Sequence, residues 1–176
     1  MTPSPDHPRP DLETYRGERT PAGPEMSPSR AGRRVPVDAL QGALAAEHAA
    51  IWVYGVTAAF VPSTLAERLD AAATAHQARR DATERMLIDA GTPPVPPEPG
   101  YRTPEPVTDA ASALRLAITA ETDAAAAWRS VIERSTADPD LRGAALDALT
   151  GAAVRAVRWR AAVGGTPLTV PFPGMP

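Results

Sequence analysis

The sequence predicts an all-α protein built as a four-helix bundle, from where its prolines fall, how its helices are punctuated and how its apolar residues are spaced. Of 176 residues, 36 are Ala and 21 are Pro. Eight prolines lie between Met1 and Pro36, seven between Thr92 and Val107 and four after Val163, leaving Pro62 and Pro139 alone in the two long blocks between. Proline in a helix interior costs roughly 3 kcal/mol, so Ala-rich blocks nearly free of it read as helices.

Residues 1–36 hold Pro, Ser, Gly and mixed charge with scarcely a large apolar side chain. Such a segment cannot offset the entropy of ordering, so a disordered Pro-rich tail is expected. Its Pro21 to Pro24 stretch fits a PxxP pattern, but in this composition it reads as solvated chain, and His7 belongs to the same tail. The first helix is expected over 38–60, with Asp38 as N-cap after Pro36. The second spans 64–91, opened by a Thr64/Glu67 capping box after Pro62 and stopped by Gly91. The third covers 108–135, with Thr108 as N-cap following Pro106. The fourth covers 138–163: Asp138 caps it, Pro139 takes the first helical position where its missing N–H costs nothing, and Gly164-Gly165 ends it. Residues 166–176 read as an extended C-terminal tail.

Loop lengths select the topology. Roughly three residues join helices one and two, and two or three join helices three and four, so each pair must be an antiparallel hairpin. The Pro-rich stretch Thr92 to Val107 has 16 residues, and at about 3.1 Å each in polyproline conformation it reaches roughly 50 Å. A helix of about 28 residues is roughly 42 Å long. The 92–107 linker is therefore long enough to run the length of a bundle over 37–165 and start helix three at the same end as helix two. One long crossover between two hairpins is the connectivity of ferritin-like bundles; an up-down bundle with a slack loop is the alternative.

Composition excludes several classes. With no Cys and no Lys, a disulfide scaffold, a thiol enzyme and a cysteine-ligated zinc site are ruled out. The formal net charge is -3, which gives no electrostatic case for nucleic acid or an anionic membrane surface. No apolar run approaches the roughly 20 residues that span a bilayer. Arg33-Arg34 suggests a twin-arginine export signal, but Pro36, Asp38 and Glu47 interrupt the apolar region it would need, so a cytoplasmic location is expected. No glycine-rich phosphate loop or serine-centred elbow is present.

The informative residues are polar ones on apolar stripes. Val37, Leu40, Leu44, Glu47, Ile51, Tyr54 and Ala58 follow a three-four rhythm that places Glu47 in the core face of helix one. Leu114, Ile118, Glu121, Ala125, Trp128 and Ile132 do the same for Glu121 in helix three. Helix two turns His76 inward, followed by Arg79 or Arg80. Helix four shows Leu141, Ala145, Leu149, Ala152, Ala156 and Trp159, flanked by Arg155 and Arg158. At a rise of 1.5 Å per residue, Glu47, His76, Glu121 and Arg155 all fall about 13 to 17 Å from the first helix's start, in one polar layer. Buried carboxylates need a partner. A di-iron bundle takes one Glu from each of two helices and a Glu-x-x-His motif from each of the others. Glu47 and Glu121 suit the single-Glu positions, yet residue 73 is Ala and helix four has neither Glu nor His. Arg155 and Arg158 are expected instead to satisfy both carboxylates through bidentate bonds. The three tryptophans read as gap fillers or as the lining of a small-molecule cavity, and His48 as a surface or interhelix residue.

The runs Leu40 to Gly55 (LQGALAAEHAAIWVYG), His76 to Asp81 (HQARRD), Arg155 to Arg160 (RAVRWR) and Phe172-Pro173-Gly174 resemble an uncharacterised actinobacterial ferritin-like family of the domain of unknown function 4439 type, over about residues 37–174. The resemblance implies a ferritin-like fold and no particular reaction. The sequence thus favours a metal-free protein with a buried network of Glu47, His76, Glu121, Arg155 and Arg158, with Tyr54, Arg79 and Arg80 as lesser candidates and no catalytic residue or cofactor. An alternative is a mononuclear iron or manganese site or oxidoreductase using Glu47, His76 and Glu121. Another is a helical module that binds a protein partner. Homodimerisation through an Ala-rich face is compatible with both.

Overall fold

The computed structural model describes residues 35–175; the expected tail over 1–36, with its PxxP stretch, His7 and Arg33-Arg34, lies outside them apart from Val35 and Pro36. Four helices follow: α1 (Val37–Ala58), α2 (Ala66–Asp89), α3 (Ala110–Arg134) and α4 (Pro139–Ala162). No strand occurs among the described residues, and none of their helices is long and apolar enough to cross a membrane.

Three of the expected helix starts differ in detail. Asp38 lies inside the first turn of α1, where its charge favours the helix dipole, and the cap position falls on Pro36 with no side-chain bond. After Pro62 the chain makes a tighter 3₁₀ turn over Ser63–Leu65, so α2 begins at Ala66 and the Thr64/Glu67 box does not form. At α3 the cap is Asp109 rather than Thr108: its carboxylate accepts from the Ser112 amide at 2.7 Å while Ser112 Oγ accepts from the Asp109 amide at 3.0 Å. Asp138 caps α4 by accepting from the Leu141 amide at 3.1 Å, with Pro139 at the first helical position as expected. Gly91, at φ 73, takes the left-handed conformation that ends α2.

The core pairs give the direction of each helix. Thr57 bonds the Ala113 carbonyl near the start of α3, and Trp128 near its end bonds Glu47, so α1 and α3 are antiparallel. Leu40, Leu44, Leu87, Val131 and Leu141 share one apolar cluster, while Val53, Leu69, Leu114 and Trp159 share another. α1 and α4 therefore run one way, α2 and α3 the other, and the bundle is two hairpins joined by a crossover. The up-down alternative is excluded.

The crossover is laid along α1. Gln41 donates to the Pro93 carbonyl at 2.7 Å and accepts from the Val95 amide at 2.8 Å, Trp52 meets the Tyr101 ring at 5.6 Å, and Val107 joins the second cluster. α1 is thus covered on two sides. Its buried stripe uses Ala50, Val53 and Thr57 where Ile51 and Ala58 are expected; the small Ala50 lets a neighbour approach, and the larger Ile51 sits half-buried on the flank. α1 packs on α2 and α3, and α3 on α4, whereas α2 and α4 do not pack closely.

Candidate functional site

Midway along the bundle, Glu47, His76 and Glu121 are each fully buried. The α1 turn around Glu47 buries Ala43, Leu44 and Ala50, and the α3 turn around Glu121 buries Ala117, Ala120 and Ala124, so both carboxylates enter an interior of small apolar residues. His76 bridges them, with Nδ1 2.6 Å from Glu47 Oε2 and Nε2 3.2 Å from Glu121 Oε1. With an acceptor at each ring nitrogen, the geometry suits imidazolium, both nitrogens donating. Burial pushes the His76 pKa down, but the bonds to Glu121 and Glu47 outweigh it and leave it raised.

Arg155 donates from Nε to Glu121 Oε1 at 2.6 Å. Burial raises the Glu121 pKa, yet the bonds from His76 and Arg155 prevail and hold it below the ordinary carboxylate value. Two carboxylates are thereby balanced by one imidazolium and one guanidinium. The Glu121 oxygen that receives Arg155 and His76 also accepts the Tyr54 hydroxyl, while its Oε2 is buried without a hydrogen-bond partner. Burial, followed by the charge of Glu121, raises the Tyr54 pKa and keeps the phenol protonated.

The tryptophans complete the layer. Trp128 donates its indole N–H to Glu47 Oε1 at 2.6 Å, and Trp159 donates to the Tyr54 hydroxyl at 2.7 Å. A continuous chain therefore runs Trp128, Glu47, His76, Glu121, Tyr54, Trp159. These indole bonds are absent from the sequence reading of the tryptophans as gap fillers. The available signal is a spacing: Tyr54 follows Glu47 by seven residues and Trp128 follows Glu121 by seven, so each helix sends its ring to the other's carboxylate.

Other expected members stand elsewhere. Arg158 is exposed and takes no part, because its position points past the flank of α4. Arg155 is bound through one nitrogen to Glu121 alone, not bidentately to both carboxylates, since His76 and Trp128 already occupy the oxygens of Glu47. Arg80 turns outward onto Asp81 at 2.6 Å. Arg79 Nη1 approaches Glu47 at 3.9 Å, beyond hydrogen-bond range, and is buried without a hydrogen bond. His48 lies between α1 and the crossover, where its Nε2 donates to the Val95 carbonyl at 3.2 Å.

This chain matches, over residues 39–176, the family described as a domain of unknown function, DUF4439. It belongs to that family. The crystal structure of a conserved hypothetical protein, rv2844, from Mycobacterium tuberculosis is similar at 40% identity and a TM-score of 0.69, over 71% of this chain and 94% of that one. No curated protein matches. In this DUF4439 chain a metal in the layer would fall to Glu47, His76 and Glu121. Among the described residues, no three His, Cys, Asp or Glu side chains are grouped so as to hold a metal ion. Both His76 nitrogens face carboxylates, and a guanidinium rests on Glu121.

Proposed function

We propose that this DUF4439 chain is a ferritin-like bundle lacking a complete di-iron site, in which Glu47, His76, Glu121 and Arg155 form a buried ionic network where a metal centre would stand. Its role is structural or partner-dependent, and the network holds the four helices in register. The observation that carries this reading is His76 held between the two carboxylates, 2.6 and 3.2 Å away, with Arg155 2.6 Å from Glu121. A di-iron set does not fit these residues: Ala73 stands three before His76 where a bridging Glu is needed, and α4 carries neither Glu nor His. A mononuclear site would need Glu121 clear of cations, and the Arg155 guanidinium opposes a divalent ion there.

Elemental analysis of the full chain, purified without affinity metal, tests the reading. The expected result is substoichiometric iron and manganese, with a melting temperature unmoved by chelator or by added Fe²⁺ or Mn²⁺, because a ligand that binds the folded state stabilises it. Stoichiometric metal lost on Glu47→Ala would overturn it.

A further inference from the structure

The open seam between α2 and α4 holds a groove of about 550 Å³. Its floor is made of small residues, Ala75 and Gly151 among them, and its cations are Arg68, Arg155 and Arg158, against a single lining carboxylate, Glu67. Arg68 and Arg158 are exposed and have no ion pair among the described residues. Arg155 spends Nε on Glu121 and turns Nη2 toward His76, which leaves Nη1.

Behind the groove's Gly151 lies a further guanidinium, Arg79, which does not line the groove itself. A Cβ there would lie 3.3 Å from Arg155 Nη1 and 3.6 Å from Arg79 Nη2, so two like charges converge over one glycine. Burial, and after it the attraction of Glu47 working against the repulsion of Arg155, leaves the Arg79 pKa lowered. Arg79 Nη1 is buried facing Glu47 Oε1 at 3.9 Å, without a hydrogen bond. Buried donors ordinarily find partners, and like charges ordinarily separate. Here neither happens.

We propose that the α2/α4 groove binds a small phosphate-bearing molecule, with Arg155 at its floor and Arg68 and Arg158 at its mouth. Guanidinium groups arriving from two helices surround a tetrahedral dianion better than a flat monoanionic carboxylate. The volume lies within the range of small-molecule sites and exceeds what inorganic phosphate fills, so the anion is one end of an organic phosphate, with Ala71, Val154 and Trp159 beside its body. The site shares Arg155 with the network and so rests on that guanidinium staying on Glu121 through Nε.

Calorimetric titration of the full chain with inorganic phosphate, phenyl phosphate and benzoate, at matched ionic strength in chloride, tests it. Saturable binding of phosphate, tighter for phenyl phosphate and weaker for benzoate, is expected. Arg158→Ala removes an exposed side chain and leaves the circular dichroism unchanged, yet should weaken phenyl phosphate by about tenfold, the worth of one charge-assisted bond. Gly151→Ala should weaken it as well, through its contact with Arg155 Nη1. Benzoate binding as tightly as phenyl phosphate would overturn the phosphate assignment. Heats that follow ionic strength alone, or affinity unchanged in both Arg158→Ala and Arg68→Ala, would overturn the site.

Discussion

Glu47 and Glu121 occupy matching places on α1 and α3, yet their surroundings differ. Each accepts from the ring seven residues beyond the other, and each shares His76. Each also has an arginine from the second helix of a hairpin, Arg79 near Glu47 and Arg155 on Glu121. The symmetry breaks at the imidazole. α2 supplies His76 three residues before Arg79, whereas α4 has Ala152 three before Arg155. One imidazole must serve two carboxylates, and it sits closer to Glu47. Both Glu47 oxygens are bonded, while Glu121 gathers three donors on one oxygen and leaves the other bare. Arg155 is drawn to 2.6 Å to make up that balance, and Arg79 stays at 3.9 Å.

The largest test of this asymmetry removes each carboxylate in turn. Glu121→Ala leaves the 11% exposed Arg155 without its counter-charge and His76 with Glu47 alone, and a loss of about 3–5 kcal/mol in denaturant unfolding is expected. Glu47→Ala should cost less, because Arg79 is 21% exposed and keeps water near its charge. Equal losses would show that the two halves are equivalent.

Ring substitutions sharpen the same contrast at smaller scale. Trp128→Phe strips Glu47 Oε1 of its one short bond and should cost about 1.5–3 kcal/mol beyond the packing loss, as expected for a bond to a charged group. Tyr54→Phe should cost less at the carboxylate, because Glu121 Oε1 retains His76 and Arg155. A Tyr54→Phe loss exceeding that of Trp128→Phe would contradict the distribution of donors.

The smallest effect is in pH. The folded pKa of His76 is raised above its ordinary 6.5, so its stabilisation is complete below 6.5 and is lost as pH climbs through the folded value. Glu121 is lowered from 4.5, so its contribution is present above 4.5 and is lost as pH falls. Unfolding free energy should therefore be highest between about pH 4.5 and 6.5 as far as this layer is concerned. In His76→Gln the decline on the alkaline side should flatten; an unchanged profile would remove His76 as its source.

Much of this was legible in the residues. Proline marks helix boundaries because its lost N–H and fixed φ act locally, and Pro139 and Gly91 behave as their chemistry requires. The length of 92–107 against the length of a helix anticipated the crossover, since reach is a property of the chain. Caps are less legible: Asp109 and Ser112 compete with Thr108 within one turn, and fractions of a hydrogen bond decide. The inward turn of Glu47, His76 and Glu121 followed from periodicity, and so did their common height.

What periodicity could not assign was pairing. Arg158 and Arg155 lie one turn apart with the same charge, and only the crossing of α3 with α4 puts one on Glu121 and the other in solvent. Trp128 and Trp159 read as apolar bulk until their N–H groups meet acceptors on another helix. The sequence by itself determined the helices, their order and the inward turn of Glu47, His76 and Glu121, because those depend on neighbours three or four positions away. The tertiary structure alone decided which oxygen met which donor and left α2 and α4 apart, because such contacts are set to tenths of an ångström by helices distant in the chain.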